Sequence, residues 1–495
     1  MLTFTIFLPL LTGLIVLAIP PSRPAWARWT ALAGAILTLL LALWLWAGFD
    51  ASDPALQWRA SAPWIPGIGA GYDVAVDGIS LPLILLTAVL LVAVMAYVLP
   101  QHERSPRLHA FLFLLLATGL MGVFAARDLL LFYLFFEIAL VPMYFIVGIW
   151  GGERRRYAAM KFFLYTRAGS LAMLLGFLGL YLSMTPHTFS LPAIIQAQPL
   201  AAAPTAAALV FFALLLGFGV KLPTVPLHNW LPDAHVEAPT EGSVVLAGLQ
   251  LKMGAYGLVA ILLPALPQAA ARFGWLLAVL ALISLLYGSL AALAQNDMKR
   301  LVAYTSVNHM AYVMLAVAIA ALSANAGARA LALNGAVVQM VSHGLLTGGM
   351  FLMVGMLQHR AGTREMQRFG GVLAQLPVYG ALFGLLAFGS LGLPGLSGFI
   401  AEFQVIGGSL TLGVWVAAIV VLGLLITTGL YLRLVGSVLL GSPPEGMPGL
   451  APLGAHETWT AGTLAALSVL IGILPNTVMP FIAAGSSRLL ALFQA

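Results

Sequence analysis

The sequence predicts an all-α integral membrane protein with about 14 transmembrane helices. Of its 495 residues, 61% are apolar and 8% are charged, and the mean hydropathy is +1.02. Ordinary soluble domains carry about 25% charged residues. Apolar windows of spanning length recur along the whole chain, so we expect no separate soluble domain.

The charges and the absence of cysteine exclude several functions. The net charge of +6 comes from basic residues spread over the whole length, and the missing basic stripe argues against nucleic-acid binding. The chain has no cysteine, which excludes disulfides, thiolate metal sites, cysteine-ligated iron–sulfur clusters and cysteine nucleophiles. Any redox cofactor that serves this protein must therefore reside in another chain.

The N-terminal part is expected to contain three spans and one extramembrane segment. Residues 2–20 predict an uncleaved first helix, because no Lys or Arg precedes the apolar run as in a signal peptide. A second span follows at 29–48 and a third at 79–99. Between them, residues 50–78 are rich in Gly, Pro and Trp and predict an extramembrane loop, with Asp77 as the N-cap of the third helix.

Eleven further apolar windows complete the predicted membrane domain. They fall near residues 110–125, 129–149, 161–184, 205–229, 242–264, 274–294, 300–322, 330–357, 376–413, 414–440 and 459–484.

The distribution of basic residues predicts the orientation. Thirteen Lys and Arg residues lie in or beside one set of alternate loops, and five lie on the other face. Loops rich in Lys and Arg remain cytoplasmic. An even number of spans then places both termini on the outer, periplasmic face of a bacterial inner membrane.

Two of the predicted spans are interrupted, and each interruption lies beside an ionisable residue. LPTVP (222–226) breaks the seventh span after Lys221, and GLPGLSG (392–398) breaks the twelfth span before Glu402. Matching broken helices in two halves indicate a transporter with inverted repeats, although accidental proline kinks remain an alternative.

The matching breaks predict four regions. They are residues 1–109 with helices 1–3 and the loop, 110–266 and 267–441 as two five-helix repeats (spans 4–8 and 9–13), and 442–495 as a C-terminal helix.

Six protonatable residues lie inside separate predicted spans. A charged side chain there costs about 3 kcal/mol or more, so such residues are usually interior and functional. Snorkelling is the alternative for Lys221, which closes its half-helix, and a hydrogen-bonded core role is the alternative for each histidine. Together they predict a proton path. They are Glu137, Lys221, Lys252, His309, His343 and Glu402.

The segment PLHNWLPDAHVEAPTEG offers metal-ligand residue types without a metal-site spacing. It contains His228, Asp233, His235, Glu237 and Glu241, but no helical i, i+4 histidine pair or compact zinc pattern. We expect an interfacial loop with caps for the eighth span and no bound metal.

Several long motifs resemble one family. The strings FYLFFEIALVPMYFIVGIWGG, VKLPTVPLHNWLPDAHVEAPTEGSVVLAGLQLKMGAYGL, MKRLVAYTSVNHM, SHGLLTGGMF and GLPGLSGFIAEF are similar to the antiporter-like subunits of respiratory complex I, best to the chain M type. The resemblance runs from about residue 75 to 440, and the flanks match only in hydropathy.

The resemblance implies a membrane-arm subunit of NADH:quinone oxidoreductase that translocates protons. Such a subunit holds no redox site, and FMN, iron–sulfur clusters and quinone are expected in partner subunits. The implied partners are other membrane-arm subunits, including sister antiporter-like chains, within the lipid bilayer.

The resemblance also implies roles for the first three site residues. Glu137 and Lys221 match the family's paired carboxylate and lysine, and Lys252 matches the central connecting lysine. A close carboxylate would hold Lys221 charged, and separation of the pair would favour proton release toward Lys252.

The remaining site residues match the outward part of the path. His309 and His343 resemble the outward-leading histidines, and Glu402 resembles the terminal carboxylate. A multisubunit cation/proton antiporter shares this fold, but such subunits generally carry lysine at the position of Glu402. A passive scaffold is the third alternative, and the cost of burying six ionisable groups disfavours it.

Arg167 departs from the family pattern. It occurs in KFFLYTRAGS, where the family has an uncharged residue. The sequence assigns no role to Arg167, and cytoplasmic-side packing or a lipid contact is the alternative without a function.

Overall fold

Helices make up most of the computed structural model, which describes residues 1–101 and 104–491. Two short strands form the only sheet of the described ranges. The helices are α1 Leu2–Ala18, α2 Pro24–Ala47, α3 Ser80–Val98, α4 Pro106–Ala125, α5 Leu129–Trp150, α6 Arg155–Leu182, α7 Leu191–Ala197, α8 Pro204–Lys221, α9 Trp230–Glu237, α10 Thr240–Ala265, α11 Pro267–Leu293, α12 Met298–Leu322, α13 Ala326–Ala361, α14 Val372–Gln375, α15 Pro377–Ser390, α16 Ser397–Ser409, α17 Val414–Leu439, α18 Ala455–Ile473 and α19 Met479–Ala491.

The predicted class of a helical, multi-spanning membrane protein is confirmed. Within the described ranges, 11 helices are long and apolar enough to cross a bilayer, and α1 and α15 are shorter apolar helices. The count of 14 spans and the inverted repeats stay predictions.

The segment predicted as a loop at 50–78 contains a β-hairpin. Strand β1, Gln57–Ile65, pairs antiparallel with β2, Ala70–Val76, and a Pro-Gly-Ile turn joins them. The sequence interpretation missed it, although a Pro/Gly turn between segments with Trp, Tyr and Val is a hairpin signal. The capping role predicted for Asp77 is confirmed, since its Oδ1 accepts hydrogen bonds from the N–H groups of Ile79 (3.1 Å) and Ser80 (2.9 Å).

Asp128 connects this hairpin to helix α5. Its Oδ1 accepts from the N–H groups of Leu130 (2.9 Å) and Leu131 (3.0 Å), which caps the helix. Its Oδ2 accepts from Gly71 N–H (3.0 Å) in β2. One side chain therefore fixes both the start of α5 and its position relative to the hairpin.

Both predicted helix breaks are confirmed. Helix α8 ends at Lys221, and a loop precedes α9. Helix α15 ends before a turn in which Gly392 and Gly395 have φ of +82° and +91°, a left-handed backbone that favours glycine. Helix α16 then carries Glu402. The first break places a free helix end inside the bundle, where Lys221 and Leu222 are buried, whereas Leu393 in the second break is exposed. Free helix ends and irregular backbone of this kind can bind ions and polar groups.

The C-terminal region differs from the single helix expected for 442–495. Helix α18 ends at Ile473, and the separate α19 follows a turn that contains Pro475. Proline lacks the N–H that would continue the helix. In α19, the Arg488 guanidinium lies 3.5 Å from the Asp77 carboxylate, so this helix packs against the start of α3.

Three helices form the enclosed centre of the bundle. In their most apolar windows, α10 and α13 are 100% buried and α12 is 94% buried, against 39% for the peripheral helices α2, α6 and α17. Lys252, His343 and His309 lie on these three central helices. The fold thus places them away from lipid.

Candidate functional site

Lys252 and His343 form the centre of the candidate site. The Lys252 ammonium lies 2.7 Å from His343 Nδ1 and donates to the carbonyl of Ala247 at 2.6 Å. Lys252 is fully buried and follows a π-helical segment, Leu246–Gln250. Such π-turns occur frequently at functional sites. The lysine and the imidazole are within direct proton-transfer distance.

His309 and Glu402 continue the row. His309 Nδ1 lies 3.2 Å from Glu402 Oε1, and the rings of His309 and His343 are 5.7 Å apart between centroids. Four helices, α10, α13, α12 and α16, therefore bring Lys252, His343, His309 and Glu402 into one continuous row. All four were predicted from the sequence as site residues, and the structure adds that they are neighbours.

A small polar cavity of about 10 Å³ lies beside this row and has His309, His343 and Glu402 in its lining. That volume holds roughly one water molecule. Three buried atoms here have no hydrogen-bond partner among the described residues, namely His309 Nε2, His343 Nε2 and Glu402 Oε2. A buried polar atom without a hydrogen-bond partner costs free energy, so these three atoms favour a bound water or a mobile proton in the cavity.

Lys221 lies at the end of α8 with its side chain inside the bundle. Its residue surface is 1% exposed, which contradicts the snorkelling alternative. The ammonium donates to Gln250 Oε1 at 3.2 Å and lies 5.1 Å and 5.7 Å from the ring centres of Phe162 and Phe136. The cation is therefore surrounded by one neutral amide and two aromatic faces, which stabilise it less than a paired carboxylate would.

The expected ion pair between Glu137 and Lys221 is not formed. Glu137 instead pairs with Arg167 of α6, and the same guanidinium donates to Tyr133 Oη at 3.4 Å. Lys221 has no carboxylate partner in the part of the chain that the structure describes. Arg167 is therefore an ion-pair partner of a candidate site residue, a contact that the sequence did not indicate, and its side chain is 40% exposed.

Gly254 allows the backbone of α10 to approach the helix break at Lys221. A Cβ at this position would lie 2.5 Å from Phe218 O and 2.7 Å from Leu222 N. Real Cβ atoms essentially never approach so closely. The absence of a side chain at Gly254 thus sets the distance between Lys221 and the central helix.

We expect Gly254→Ala to reduce proton pumping by more than half at matched assembly. Overpacking of this kind costs about 1–3 kcal/mol and displaces the Lys221 backbone from α10. The matched control is Gly429→Ala in α17, where no atom lies within 4 Å of an added Cβ. Proton uptake into membrane vesicles measures both variants, and equal activity would contradict the structural role of Gly254.

The sequence interpretation underestimated how much of the segment between α8 and α10 is helical and buried. Residues 230–237 form helix α9, and its His235 is fully buried, stacked on Phe351 at 4.6 Å. Neither ring nitrogen of His235 has a partner among the described residues. Glu241 is also buried and lies 2.9 Å from His109 Nε2. These are interior ionisable residues, which corrects the prediction of an interfacial loop.

Glu241 lines a larger polar cavity of about 460 Å³ together with Lys299 and Arg364. The described residues contain no cluster of three His, Asp or Glu side chains that could hold a metal ion. The absence of a metal stays a prediction.

Fold and site together define a class of protein. A multi-spanning helical membrane protein buries a row of titratable side chains, and that row runs toward two broken helices. Buried ionisable residues in such proteins mark ion pathways and proton relays. The class is that of membrane proteins that move protons or cations across the bilayer.

Comparison with known proteins specifies the family. The family model described as NADH:quinone oxidoreductase/Mrp antiporter, TM, matches residues 126–427. A curated relative from Rickettsia conorii, NADH-quinone oxidoreductase subunit M, is 37% identical over 99% of this chain and 99% of its own length. The chain therefore belongs to the NADH:quinone oxidoreductase/Mrp antiporter membrane-subunit family.

Solved structures agree with this assignment. A chain of respiratory complex I from Thermus thermophilus with bound NADH is 32% identical, with a TM-score of 0.85 over 99% of this chain and 100% of that chain. A chain of the Mrp complex from Dietzia sp. also has a TM-score of 0.85, over 99% and 97% of the two chains, but is 21% identical. The second similarity concerns the fold alone.

Proposed function

We propose that this chain is a proton-translocating membrane-arm subunit of an NADH:quinone oxidoreductase. The observation that carries the proposal is the continuous row of Lys252, His343, His309 and Glu402 across four helices. Membership of the family and the similarity to subunit M proteins along the full length support the enzyme complex. The chain itself contributes proton transfer, and partner subunits carry out the redox reaction.

In the proposed path, Lys221 holds the proton before it reaches the central residues Lys252 and His343, and we call Lys221 the proton store. Gln250 accepts from Lys221 and precedes Lys252 by two residues in α10. Its amide also donates to Ala139 O at 2.7 Å, which holds α10 against α5. A proton released from Lys221 passes to Lys252, then to His343 and His309, and reaches Glu402 beside the second break. Water in the small cavity would bridge the two histidines.

The regions expected from the sequence fit this path. We propose that residues 110–266 hold Lys221 and Lys252 in a first antiporter-like repeat, and that 267–441 hold the histidines and Glu402 in a second. FMN, iron–sulfur clusters and quinone belong to partner subunits, and sister antiporter-like chains are the expected membrane neighbours.

The proposed location is the bacterial inner membrane with both termini periplasmic. The loops expected to be cytoplasmic meet at one end of the bundle, since Gln101, Trp150, Lys299 and Arg364 line the same cavity. The hairpin, Arg127 and Arg488 meet elsewhere, where Arg127 lies 3.3 Å from Asp77. This separation supports the proposed sidedness.

A multisubunit cation/proton antiporter is the alternative function. It shares the fold, and the Mrp chain from Dietzia has the same architecture. The carboxylate of Glu402, paired with His309, favours the complex I type, in which the resemblance implies glutamate at this position.

Purification of the assembled complex tests the two functions. We expect an NADH-oxidising flavoprotein and iron–sulfur subunits to co-purify with this chain. Co-purification of small membrane subunits alone would assign the antiporter function instead.

A further inference from the structure

Arg167 is a charged residue deep within a membrane-spanning helix. It lies 12 residues after the start of α6 at Arg155, which is about 18 Å along the helix axis. A cation at that depth is costly unless it is paired. Its partner is Glu137 of α5, so the pair joins two adjacent helices. Gly169, two residues after Arg167, packs against Val220, the residue before Lys221.

The Glu137 carboxylate has capacity for a second cation. One oxygen, Oε2, contacts Arg167, while the other, Oε1, is buried and has no hydrogen-bond partner among the described residues. Lys221 lies within electrostatic range of the same carboxylate, and its ammonium is 5.7 Å from the ring centre of Phe136, the neighbour of Glu137 in sequence. One carboxylate therefore lies near two cations and pairs with one of them.

We propose that Arg167 is a positioning residue that competes with Lys221 for the Glu137 carboxylate and thereby promotes proton release from Lys221. This inference rests on the proposed function. Arginine remains charged at all relevant pH values, whereas lysine can lose its proton. Arg167 thus acts as a permanent competitor, and only the charge of Lys221 changes.

The competition couples a small movement of the Glu137 carboxylate to proton transfer from Lys221. While Glu137 pairs with Arg167, Lys221 has only the neutral Gln250 amide and two aromatic rings, which favours transfer of its proton to Lys252. When the carboxylate moves to Lys221, the lysine retains its proton and Arg167 loses its partner. The proton leaves from Lys221 Nζ, and Arg167 neither gains nor loses one.

Three substitutions of Arg167 separate charge from hydrogen bonding. Arg167→Lys keeps the charge, Arg167→Gln keeps a hydrogen-bond donor, and Arg167→Leu removes both. We expect the lysine variant to pump like the parent. The glutamine and leucine variants should show coupled turnover reduced about three- to tenfold, as for residues of one salt-bridge network.

The measurement uses the complete complex in membrane vesicles, with NADH-driven proton uptake and quinone reduction normalised to the amount of assembled complex. The matched control is Arg156→Leu, which removes an exposed cation from the same helix, away from Glu137. It should leave turnover unchanged. If Arg167→Leu fails to assemble, the glutamine and lysine variants decide the test.

Two results would overturn the inference. Parent-like pumping by Arg167→Gln would show that hydrogen bonding suffices, and equal losses in Arg167→Gln and Arg167→Lys would show that guanidinium geometry matters instead of charge. Lys221→Ala in the same assay separates this inference from the proposed function. Unimpaired Lys221→Ala rejects the proposed path, whereas impaired Lys221→Ala with parent-like Arg167 variants rejects the competition alone.

Discussion

Lys221→Ala is expected to lower proton pumping about a hundredfold or more, the typical contribution of a positioned proton-transfer group. The alanine removes the proton store at the first helix break, where no other lysine lies on α8. Coupled quinone reduction should fall with pumping. The assembled complex should remain, because Lys221 forms no ion pair with a carboxylate in the described ranges. Proton uptake and quinone reduction in vesicles measure the effect.

Lys221→Arg is the informative control for this experiment. Arginine preserves the positive charge near Gln250 but does not release its proton in proteins. We therefore expect the arginine variant to be as inactive as the alanine variant. Recovery of pumping with arginine would mean that Lys221 acts only as a fixed charge, and the store would then have to be another residue.

Glu402→Gln is expected to have the second large effect, again about a hundredfold on pumping. Glutamine has nearly the same shape and can still hydrogen-bond His309 Nδ1, so the broken helix should keep its structure. It cannot accept a proton from the histidine row. The loss should therefore appear in proton uptake and coupled turnover, with assembly unchanged on native gels.

Glu457→Gln is the matched control for that change. Glu457 is another buried carboxylate, but it pairs with Arg360 at 2.5 Å, outside the row from Lys252 to Glu402. We expect its replacement to leave the pumping rate per assembled complex unchanged. Similar losses in the two glutamine variants would indicate a general electrostatic effect and remove Glu402 from the path.

Residues whose role depends on depth or on a backbone break were predictable from sequence. Proline and glycine after Lys221 and before Glu402 identify both breaks, and the structure has them. Hydropathy placed His309 and His343 inside their helices, where they are buried. These properties are local, since each depends on a single segment and its surroundings in the bilayer.

Side-chain pairs between neighbouring helices were not predictable from the sequence, because they depend on how the helices pack. A helical position such as Glu137 has a known depth, yet its partner is decided by the rotation of α5 relative to α6 and α8. Arg167 was noted as unusual, but nothing in its own segment indicates that it faces Glu137. The pairing of Glu241 with His109 likewise joins residues 132 positions apart.

The cap at Asp128 has a consequence for how this chain can vary. Glu137 lies nine positions after Asp128, and each residue of an α-helix advances about 1.5 Å and turns about 100°. Since the Asp128 carboxylate is held by the N–H group of Gly71 in β2, the length of this helical segment determines where Glu137 lies and which way its side chain points. Substitutions along it alter only side chains. A one-residue insertion or deletion would turn Glu137 away from both Arg167 and Lys221, so this stretch is constrained in length more strictly than in composition.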